Sequence, residues 1–292
     1  MYSTPASPSF SISRAGGVSE TLSHRTSSMR YCRFQRAGKA HFGLVESVSR
    51  RLTITQMTEP DPAASTMPDF RRGTNCSIPV EDAALLAPVA PSKIVCVGRN
   101  YREHASELGH AVPREPLIFL KAPSALLDPG AKIVRPRTSS RVDYEGELGV
   151  VIGKRCRHVQ PGEDVRPYIL GYTCVNDVTA RDLQDRDGQW TRAKGFDTFC
   201  PAGPMVTDEL DPWAGIEVRT RVNGETRQQG NTRDFIFPLD VVIRHIAEVM
   251  TLLPGDLIAT GTPKGVGELR AGDVVEVAID GIGSLLNEVS DD

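Results

Sequence analysis

The sequence predicts a fold of the α+β class that is built mainly from β-strands. Short apolar runs bounded by turn residues recur along most of the chain, whereas helical periodicity is confined to a few segments. There is no regular alternation of strands and helices of the kind that produces parallel sheets in α/β folds. Many strands with few helices therefore indicate mixed β-sheets with short helical segments.

Composition divides the chain into three parts. Residues 1–28 are rich in serine and contain one acid, so we expect a disordered leader or a start codon assigned too early, since Met29 opens the first strand pattern. Short strands and turns fill 29–88, which we interpret as a small β-rich N-terminal domain. A proline-containing extended segment at 85–91 marks the boundary, and residues 89–292 form the larger domain.

The first helix of the larger domain follows a short apolar strand at 93–98. Asn100 is a favourable N-cap residue and Gly109 a favourable stop, which predicts about two helical turns. His104 and Glu107 are three residues apart and would share one face of this helix. A carboxylate beside an imidazole raises its basicity, so the pair is a candidate general base, although an exposed surface pair has the same sequence pattern.

Two acidic side chains precede the most apolar strand pattern of the chain, in the stretch 141–153. Glu145 and Glu147 are separated by one glycine, so on a strand they point to the same side, roughly 7 Å apart. Asp177 follows the apolar run 169–175 in a comparable place. Like charges at a buried strand require a proton, an arginine or a metal ion, and three carboxylates favour a hard cation such as Mg²⁺ or Mn²⁺. A solvated sheet edge and, for Asp177, a helix N-cap are the alternatives.

Two loop segments carry polar residues among apolar neighbours. Lys194 lies in the aromatic segment 190–204, where it could line a site or be a solvated lysine on a packed loop. The segment 260–267 offers threonine hydroxyls and glycine N–H groups, which together suit an anion. Because this segment lacks the spacing of a Walker A loop, nucleotide phosphate is not indicated.

The C-terminal part of the chain contains three regular patterns. Asn223-Gly224 between two strand-like runs predicts a β-hairpin with a type I′ turn. Apolar residues spaced at three and four positions over 238–253 predict an amphipathic helix. Two β-branched runs near the end, at 274–279 and 284–289, predict a closing hairpin.

Composition also excludes several classes of function. The net charge is −3, with acids and bases interspersed, so neither a nucleic acid nor a membrane surface is indicated as a partner. No apolar run approaches the ~18 residues of a transmembrane helix. Six cysteines without a C-x-x-C pair indicate a reducing compartment, which we take to be the cytoplasm, and no disulfide framework. A dinucleotide-binding oxidoreductase is excluded because no Gly-x-Gly-x-x-Gly opens a βαβ unit.

Motifs spread over 93–289 together resemble those of the fumarylacetoacetate hydrolase family. The motifs are Gly98-Arg99-Asn100-Tyr101 with His104, Phe119-Leu120-Lys121, Asp143-Tyr144-Glu145-Gly146-Glu147, Asn176-Asp177-Val178-Thr179-Ala180-Arg181-Asp182, Lys194-Gly195-Phe196-Asp197-Thr198, Gly203-Pro204 and Thr260-Gly261-Thr262-Pro263. One motif alone is weak, but all of them in this order are specific. The resemblance implies the family's roll of mixed β-sheets and a homodimer. Residues 29–88 resemble the small N-terminal domain of its bacterial two-domain members.

The resemblance also implies site residues. The implied metal ligands are Glu145, Glu147 and Asp177. They would bind one Mg²⁺ or Mn²⁺ ion per subunit. The implied catalytic residues are His104 as the base, Glu107 as the residue that orients it, and Lys194. The implied substrate-binding residues are Arg99, Gln184, Thr260, Gly261 and Thr262.

The implied activity is the conversion of a small 2-oxo acid through its metal-bound enolate. Hydrolytic C–C cleavage of an acylpyruvate, a β-diketo acid, to pyruvate and a carboxylic acid suits the His104–Glu107 pair because that pair can activate water. Isomerisation or tautomerisation of a dienoate such as 2-hydroxyhepta-2,4-diene-1,7-dioate or 5-carboxymethyl-2-hydroxymuconate uses the same enolate, as does decarboxylation of oxaloacetate. Both stay open as alternatives. A metal-stabilised structural protein is the non-enzymatic alternative.

Overall fold

The computed structural model describes residues 28–59, 73–107 and 112–292, and for 104–106 the backbone alone. The predicted leader, apart from Ser28, lies outside the described residues. The helices in these ranges are α1 (Arg102–Glu107), α2 (Arg181–Asp187), α3 (Thr191–Lys194) and α4 (Leu239–Val249). None of the described helices is long and apolar enough to cross a membrane. The strands are β1 (Arg30–Arg36), β2 (Lys39–Val48), β3 (Arg51–Thr58), β4 (Thr74–Pro79), β5 (Ala84–Leu86), β6 (Ile94–Gly98), β7 (Leu117–Lys121), β8 (Leu126–Leu127), β9 (Ile133–Arg135), β10 (Val142–Tyr144), β11 (Gly146–Ile152), β12 (Ile169–Asn176), β13 (Thr179–Ala180), β14 (Cys200–Thr207), β15 (Glu217–Val222), β16 (Glu225–Asn231), β17 (Leu257–Ala259), β18 (Gly267–Glu268), β19 (Val274–Ile279) and β20 (Gly283–Asp291).

The described strands form three sheets. The largest contains twelve strands in the order β4-β3-β2-β1-β14-β12-β11-β17-β6-β7, with β5 paired to β1 and β8 paired to β14. A five-stranded sheet has the order β16-β15-β19-β20-β9, and a three-stranded sheet has the order β13-β10-β18. Most neighbours are antiparallel, whereas β17/β6, β14/β8 and β20/β9 are parallel pairs. Mixed sheets with short helices confirm the predicted mainly β fold of the α+β class.

The N-terminal strands, in residues 30–86, extend the large sheet. β1 pairs with β14 through Arg30 opposite Thr207 and Tyr31 opposite Val206. Tyr31 and Val206 also belong to one buried apolar cluster. The N-terminal part of the chain and the larger domain therefore share both backbone hydrogen bonds and core packing.

The core is filled by the central strands and by one face of α4. Every residue of β11 is buried, as expected for a strand covered on both sides. The buried residues of α4 are Leu239, Val242, Ile243, Ile246 and Ala247. Their spacing of three and four positions confirms the predicted amphipathic helix, although it ends at Val249 because the backbone of Met250 is extended. Burying a Leu or Ile side chain contributes roughly 1.5–3 kcal/mol, so this stripe anchors the helix.

Both predicted hairpins are confirmed. β15 and β16 are joined by Asn223 and Gly224, whose φ angles of +53° and +82° are typical of a type I′ turn. Asparagine and glycine adopt positive φ at low cost, which is why the sequence located this turn. β19 and β20 form the closing hairpin, with Ile279 opposite Gly283.

The predicted start of α1 was wrong. The helix begins at Arg102, and Asn100 does not cap it because its side-chain amide is used elsewhere. Asn100 Nδ2 donates to the carbonyl oxygens of Phe237 (3.1 Å) and Thr260 (2.9 Å), and its Oδ1 accepts from the Phe237 N–H (2.8 Å). The fully buried Asn100 therefore joins three segments of the chain instead of beginning a helix.

The stretch 141–153 was predicted as one strand, but it changes sheets at Glu145. β10 belongs to the three-stranded sheet and β11 to the large sheet, and Glu145 lies in neither strand. Its N–H donates to Asn176 Oδ1 (2.9 Å), and its carbonyl accepts from the Asp177 N–H (2.8 Å). The acidic stretch is thus the junction between two sheets. The backbone N–H and carbonyl groups of Glu145 are hydrogen-bonded there by Asn176 and Asp177, at the end of β12.

The central position of β17 predicts a large stability cost for a cavity there. Leu257 is fully buried between β11 and β6, so Leu257→Ala should lower the free energy of unfolding by about 2–5 kcal/mol. Leu286→Ala makes the same chemical change on β20 at a residue that is 47% exposed, and should change it by less than about 0.5 kcal/mol. Urea denaturation of both variants measures the difference, and equal losses would contradict this account of the core.

Candidate metal centre

Three carboxylates meet where β11 begins and β12 ends. β11 pairs with β12 so that Glu147 lies opposite Val175, and the sheet junction places Glu145 beside Asp177. Each of the three acids offers an oxygen atom within 4.8 Å of the other two. Their exposed fractions are 5% for Glu145, 2% for Glu147 and 1% for Asp177, so the solvated-edge alternative is wrong for this stretch.

Two buried lysines neutralise part of this charge. Lys194 Nζ donates to Glu145 Oε2 (2.8 Å) and to Asp177 Oδ2 (2.6 Å). Lys121 Nζ donates to Asp177 Oδ1 (2.6 Å) and to the Val178 carbonyl oxygen (3.0 Å). Because the Asp177 carboxylate is used by both lysines and α2 begins at Arg181, the N-cap alternative for Asp177 is wrong.

Lys194 lies at the end of α3 and is 2% exposed, so it is not the solvated lysine of the alternative interpretation. Burial alone would lower the pKa of its ammonium group. The charges of Asp177 and Glu145 outweigh burial and raise that pKa. Lys194 is therefore a permanent cation in this arrangement, which suits hydrogen-bond donation and charge neutralisation better than proton abstraction.

Arg181 is a further buried cation, which the sequence analysis gave no role. Its Nε donates to Asp143 Oδ2 (3.0 Å), its guanidinium also contacts the Glu145 carboxylate, and Nη1 donates to Gln184 Oε1 (2.6 Å). Burial alone would lower the pKa of Arg181, but the charges of Glu145 and Asp143 outweigh burial and raise that pKa above its usual value. Arg141 pairs with the same Asp143, so the network holds Glu145 and Gln184 in place from one side.

Glu147 is the carboxylate with the least compensation. Among the described side chains, no Lys, Arg or His nitrogen lies within 4.0 Å of its carboxylate, which accepts the Gly261 N–H at 2.7 Å. Burial, together with the charges of Asp177 and Glu145, raises the pKa of Glu147 well above its usual value. Three carboxylates, one of which has no cationic partner among the described side chains, fit a hard divalent cation, and the donor set is the one that Mg²⁺ and Mn²⁺ prefer.

The predicted anion-binding loop is joined to β11. The Thr260 hydroxyl donates to the Leu148 carbonyl (2.8 Å), and the Thr262 hydroxyl donates to the Gly146 carbonyl (2.9 Å). The Gly261 N–H is used by Glu147, as described above. In this structure the two hydroxyls and the Gly261 N–H hold the loop against β11 and Glu147. Of Thr260, Gly261 and Thr262, Thr262 lines the adjoining cavity.

A cavity of about 270 Å³ opens directly onto the carboxylates. The described residues that line it are Val97, Gly98, Arg99, Phe119, Glu145, Glu147, Asp177, Arg181, Gln184, Asp185, Gly188, Trp190, Lys194 and Thr262. The structure thus brings together the three predicted ligands with Lys194, Arg99, Gln184 and Thr262. Substrate contacts for the last three stay predictions, because the geometry shows only that they border the same space.

The predicted catalytic base lies partly outside the described residues. The backbone of His104 is in α1, but its side chain is not described, so its role and its pairing with Glu107 stay predictions. The Glu107 carboxylate accepts the Gly265 N–H at 3.1 and 3.2 Å from its two oxygens. α1 is therefore anchored to the loop that follows Thr262.

Close packing at Gly261 predicts a loss of metal affinity on substitution. Its φ is +104°, and an added Cβ would lie 2.7 Å from Asn100 Cβ, so Gly261→Ala must displace the N–H that Glu147 accepts. We expect Mg²⁺ affinity to fall by at least about tenfold in calorimetric titration. Gly272→Ala is the matched control, because φ is +89° there and no atom lies within 4 Å of the added Cβ. Equal losses in both would attribute the effect to backbone strain alone.

The raised pKa of Glu147 predicts that metal binding releases a proton. A divalent ion must displace the proton that this buried carboxyl retains to higher pH than usual, so apparent Mg²⁺ affinity should rise with pH. Calorimetry in buffers of different ionisation enthalpy should detect release of up to about one proton, and Glu147→Gln should abolish it. A carboxyl whose pKa is raised on folding stabilises the protein below its unfolded pKa of about 4.3 and loses that contribution as pH rises. Metal-free protein should therefore lose stability from this group above that pH, and pH-independent metal binding would contradict the assignment.

Two family models match consecutive parts of this chain. The family described as fumarylacetoacetate (FAA) hydrolase C-terminal matches residues 93–290, and the family described as Rv2993c-like, N-terminal, matches residues 29–88. The chain is 38% identical over 284 residues to a 2,4-didehydro-3-deoxy-L-rhamnonate hydrolase of Sphingomonas sp. (strain SKA58), covering 90% of this chain and 96% of that protein.

Two further relatives carry different names. Oxaloacetate tautomerase YisK of Bacillus subtilis (strain 168) is 43% identical over 225 residues, covering 72% of this chain and 74% of that protein. The crystal structure of 2-hydroxyhepta-2,4-diene-1,7-dioate isomerase from Mycobacterium marinum has a TM-score of 0.79 and 43% identity, covering 90% of this chain and 99% of that one. Because a family match covers two thirds of the sequence and relatives named as enzymes match over most of their length, the chain belongs to the fumarylacetoacetate hydrolase family of enzymes.

Proposed function

We propose that this enzyme uses a divalent metal ion to act on a 2-oxo acid, and that its reaction is hydrolytic C–C cleavage of an acylpyruvate to pyruvate and a carboxylic acid. The observation that carries the proposal is the buried cluster of Glu145, Glu147 and Asp177, with oxygens within 4.8 Å of one another and a deficit of positive charge at Glu147. The cluster forms one wall of a cavity large enough for a small metabolite.

Mg²⁺ or Mn²⁺ held by these three carboxylates would supply Lewis-acid chemistry, stabilising negative charge that develops on the 2-oxo oxygen of the substrate. Lys194 holds Glu145 and Asp177 in their positions through hydrogen bonds of 2.8 and 2.6 Å. Arg181 fixes the side-chain oxygen of Gln184, which borders the cavity. These contacts preorganise the charged groups before substrate binds, so little reorganisation is required during the reaction.

In the proposed hydrolysis, His104 accepts a proton from the water that attacks the distal carbonyl of the β-diketo acid. The bond between that carbonyl carbon and the methylene carbon that separates the two keto groups then breaks. This leaves a carboxylic acid and the enolate of pyruvate, which takes up a proton. Glu107 would orient the imidazole. The Glu107 carboxylate accepts the Gly265 N–H, and this contact supports a fixed position of α1 next to the loop that follows Thr262.

Isomerisation or tautomerisation is the second candidate, and the names of the Mycobacterium marinum isomerase and the Bacillus subtilis tautomerase favour it. These reactions need proton transfer next to an enolate but no attacking water. Decarboxylation of oxaloacetate likewise needs no water. The cluster of Glu145, Glu147 and Asp177 would serve all three reactions. Which reaction takes place would therefore depend on the base and on the residues across the cavity from the cluster.

Purified protein with acetylpyruvate and Mg²⁺ or Mn²⁺ should release pyruvate, and EDTA should stop the release.

Glu147→Gln should reduce turnover by at least about 10²-fold, and His104→Ala should lower kcat by at least about 10²-fold if this residue is the base. The control Glu288→Gln alters a carboxylate that is 48% exposed and paired with Lys132, and should leave turnover unchanged. Absence of pyruvate from metal-loaded protein, together with loss of the oxaloacetate enol signal, would favour the tautomerase alternative.

A further inference from the structure

Gln228 is a buried polar residue on an edge strand that is otherwise largely exposed. It lies in β16, at the edge of the five-stranded sheet, and is 1% exposed, whereas the residues on either side of it are exposed. The register between β15 and β16 shifts at this point. Thr220 lies opposite Gln228 but Arg221 lies opposite Thr226, so Arg227 is an extra residue in β16. A β-bulge of this kind often directs a side chain toward a functional site.

Both ends of the Gln228 amide are hydrogen-bonded. Its Oε1 accepts the Gly146 N–H at 3.0 Å, and its Nε2 donates to the Thr262 hydroxyl and to the Pro263 carbonyl oxygen, each at 2.8 Å. These partners determine the orientation of the amide, because a flipped amide would place a donor against the Gly146 N–H and an acceptor against the Pro263 carbonyl. One side chain therefore joins the β15–β16 hairpin to β11 and to the loop at 260–263.

The backbone of Gly146 depends on these partners. β17 pairs with β11 over 149–151 and does not reach Gly146 at the start of β11. The Gln228 amide and the Thr262 hydroxyl take the place of a strand there, since they bond the N–H and the carbonyl oxygen of Gly146. An added Cβ at Gly146 would overlap the Thr220 hydroxyl, so the same hairpin also packs against this residue. Because a buried backbone group without a partner is costly, removing the Gln228 amide should displace this part of β11.

Gly146 separates two of the candidate metal ligands. Its N–H belongs to the peptide that follows Glu145, and its carbonyl belongs to the peptide that precedes Glu147. The loop that Gln228 holds also carries Gly261, whose N–H donates to the Glu147 carboxylate. A displacement at Gln228 would therefore reach Glu145 and Glu147 through the backbone, and Glu147 a second time through the loop.

Resting on the metal-dependent function proposed above, we infer that Gln228 is a positioning residue for the metal centre. It lies outside the described lining of the cavity and acts through Gly146 and Thr262. It raises the affinity for the divalent ion by fixing the two peptides between Glu145 and Glu147. Residues that orient the ligands of a metal without touching the ion typically contribute about 10–100-fold to its affinity.

Two substitutions separate the acceptor of Gln228 from its donors. Gln228→Met removes both and should weaken Mg²⁺ binding at least about tenfold in calorimetric titration. Gln228→Glu keeps an oxygen for the Gly146 N–H, but as a carboxylate it cannot donate to Thr262 or Pro263. It should weaken Mg²⁺ binding by no more than about threefold. In metal-free protein, amide hydrogen exchange over 260–267 should become at least about fivefold faster in both variants.

Gln229→Met is the matched control. It makes the same change at the next residue of β16, whose exposed amide donates to Glu217. This variant should leave both the Mg²⁺ affinity and the exchange over 260–267 unchanged. Unaltered Mg²⁺ affinity in folded Gln228→Met would overturn the inference, and so would equal losses of affinity in Gln228→Met and Gln229→Met.

Gln228→Glu keeps the test decisive if Gln228→Met does not fold, because its side chain has nearly the shape of glutamine. Unaltered exchange over 260–267 in this variant would contradict the role of Gln228 in holding the loop. Thermal unfolding of each variant verifies that it is folded. Failure of the unsubstituted protein to bind Mg²⁺ or Mn²⁺ would instead overturn the proposed metal-dependent function, whereas exchange in metal-free protein tests the Gln228 contacts separately.

Discussion

The structure depends on the burial of three like charges at one sheet junction. Isolated carboxylates are costly to bury, so the fold surrounds Glu145, Glu147 and Asp177 with groups that offset their charge. Lys121 and Lys194 approach Asp177 from different segments, Arg181 approaches Glu145, and the Gly261 N–H approaches Glu147. Compensation is incomplete at Glu147, and this remaining charge makes the cluster a candidate cation site in addition to an ion-pair network.

The sheet topology provides the precision that such a site needs. β11 and β12 are neighbours in the large sheet, and Glu147 lies in β11. Glu145 and Asp177 each lie one residue beyond the paired strand ends Gly146 and Asn176, where a backbone hydrogen bond joins them. The change of sheet at Glu145 is supported by Asn176, whose side-chain oxygen replaces a strand partner. The loop at 260–262 is in turn bonded to β11 through both threonine hydroxyls. Side chains held on rigid strands keep a binding geometry better than side chains on loops.

The sequence predicted the parts of this arrangement that follow from local spacing. The spacing of Glu145 and Glu147 identified a pair of neighbouring acids, although Glu145 lies between β10 and β11 and not on a strand. A type I′ turn signal located Asn223-Gly224, and the helical period located α4. Lys121 and Arg181 were given no role, because the contacts that define their roles cross 56 residues to Asp177 and 36 residues to Glu145. Asn100 misled the prediction for a similar reason, since a residue with good capping chemistry was used 137 and 160 residues away. Local pattern identifies candidate ligands, but only the tertiary fold determines which cations are buried against them.

Relatives of this chain bear the names of a hydrolase, an isomerase and a tautomerase. In the function proposed above, the three acids and their lysines would stabilise an enolate next to a carboxylate, and they would thereby determine the class of chemistry. In that proposal, the identity of the substrate depends on the rest of the cavity lining, where Arg99 and Trp190 are carried by segments between strands. Such segments accept substitutions without disturbing the sheet, so one scaffold can support several substrates. Among the described residues, no carboxylate pairs with the guanidinium of Arg99 in that lining, so this side chain favours an anion.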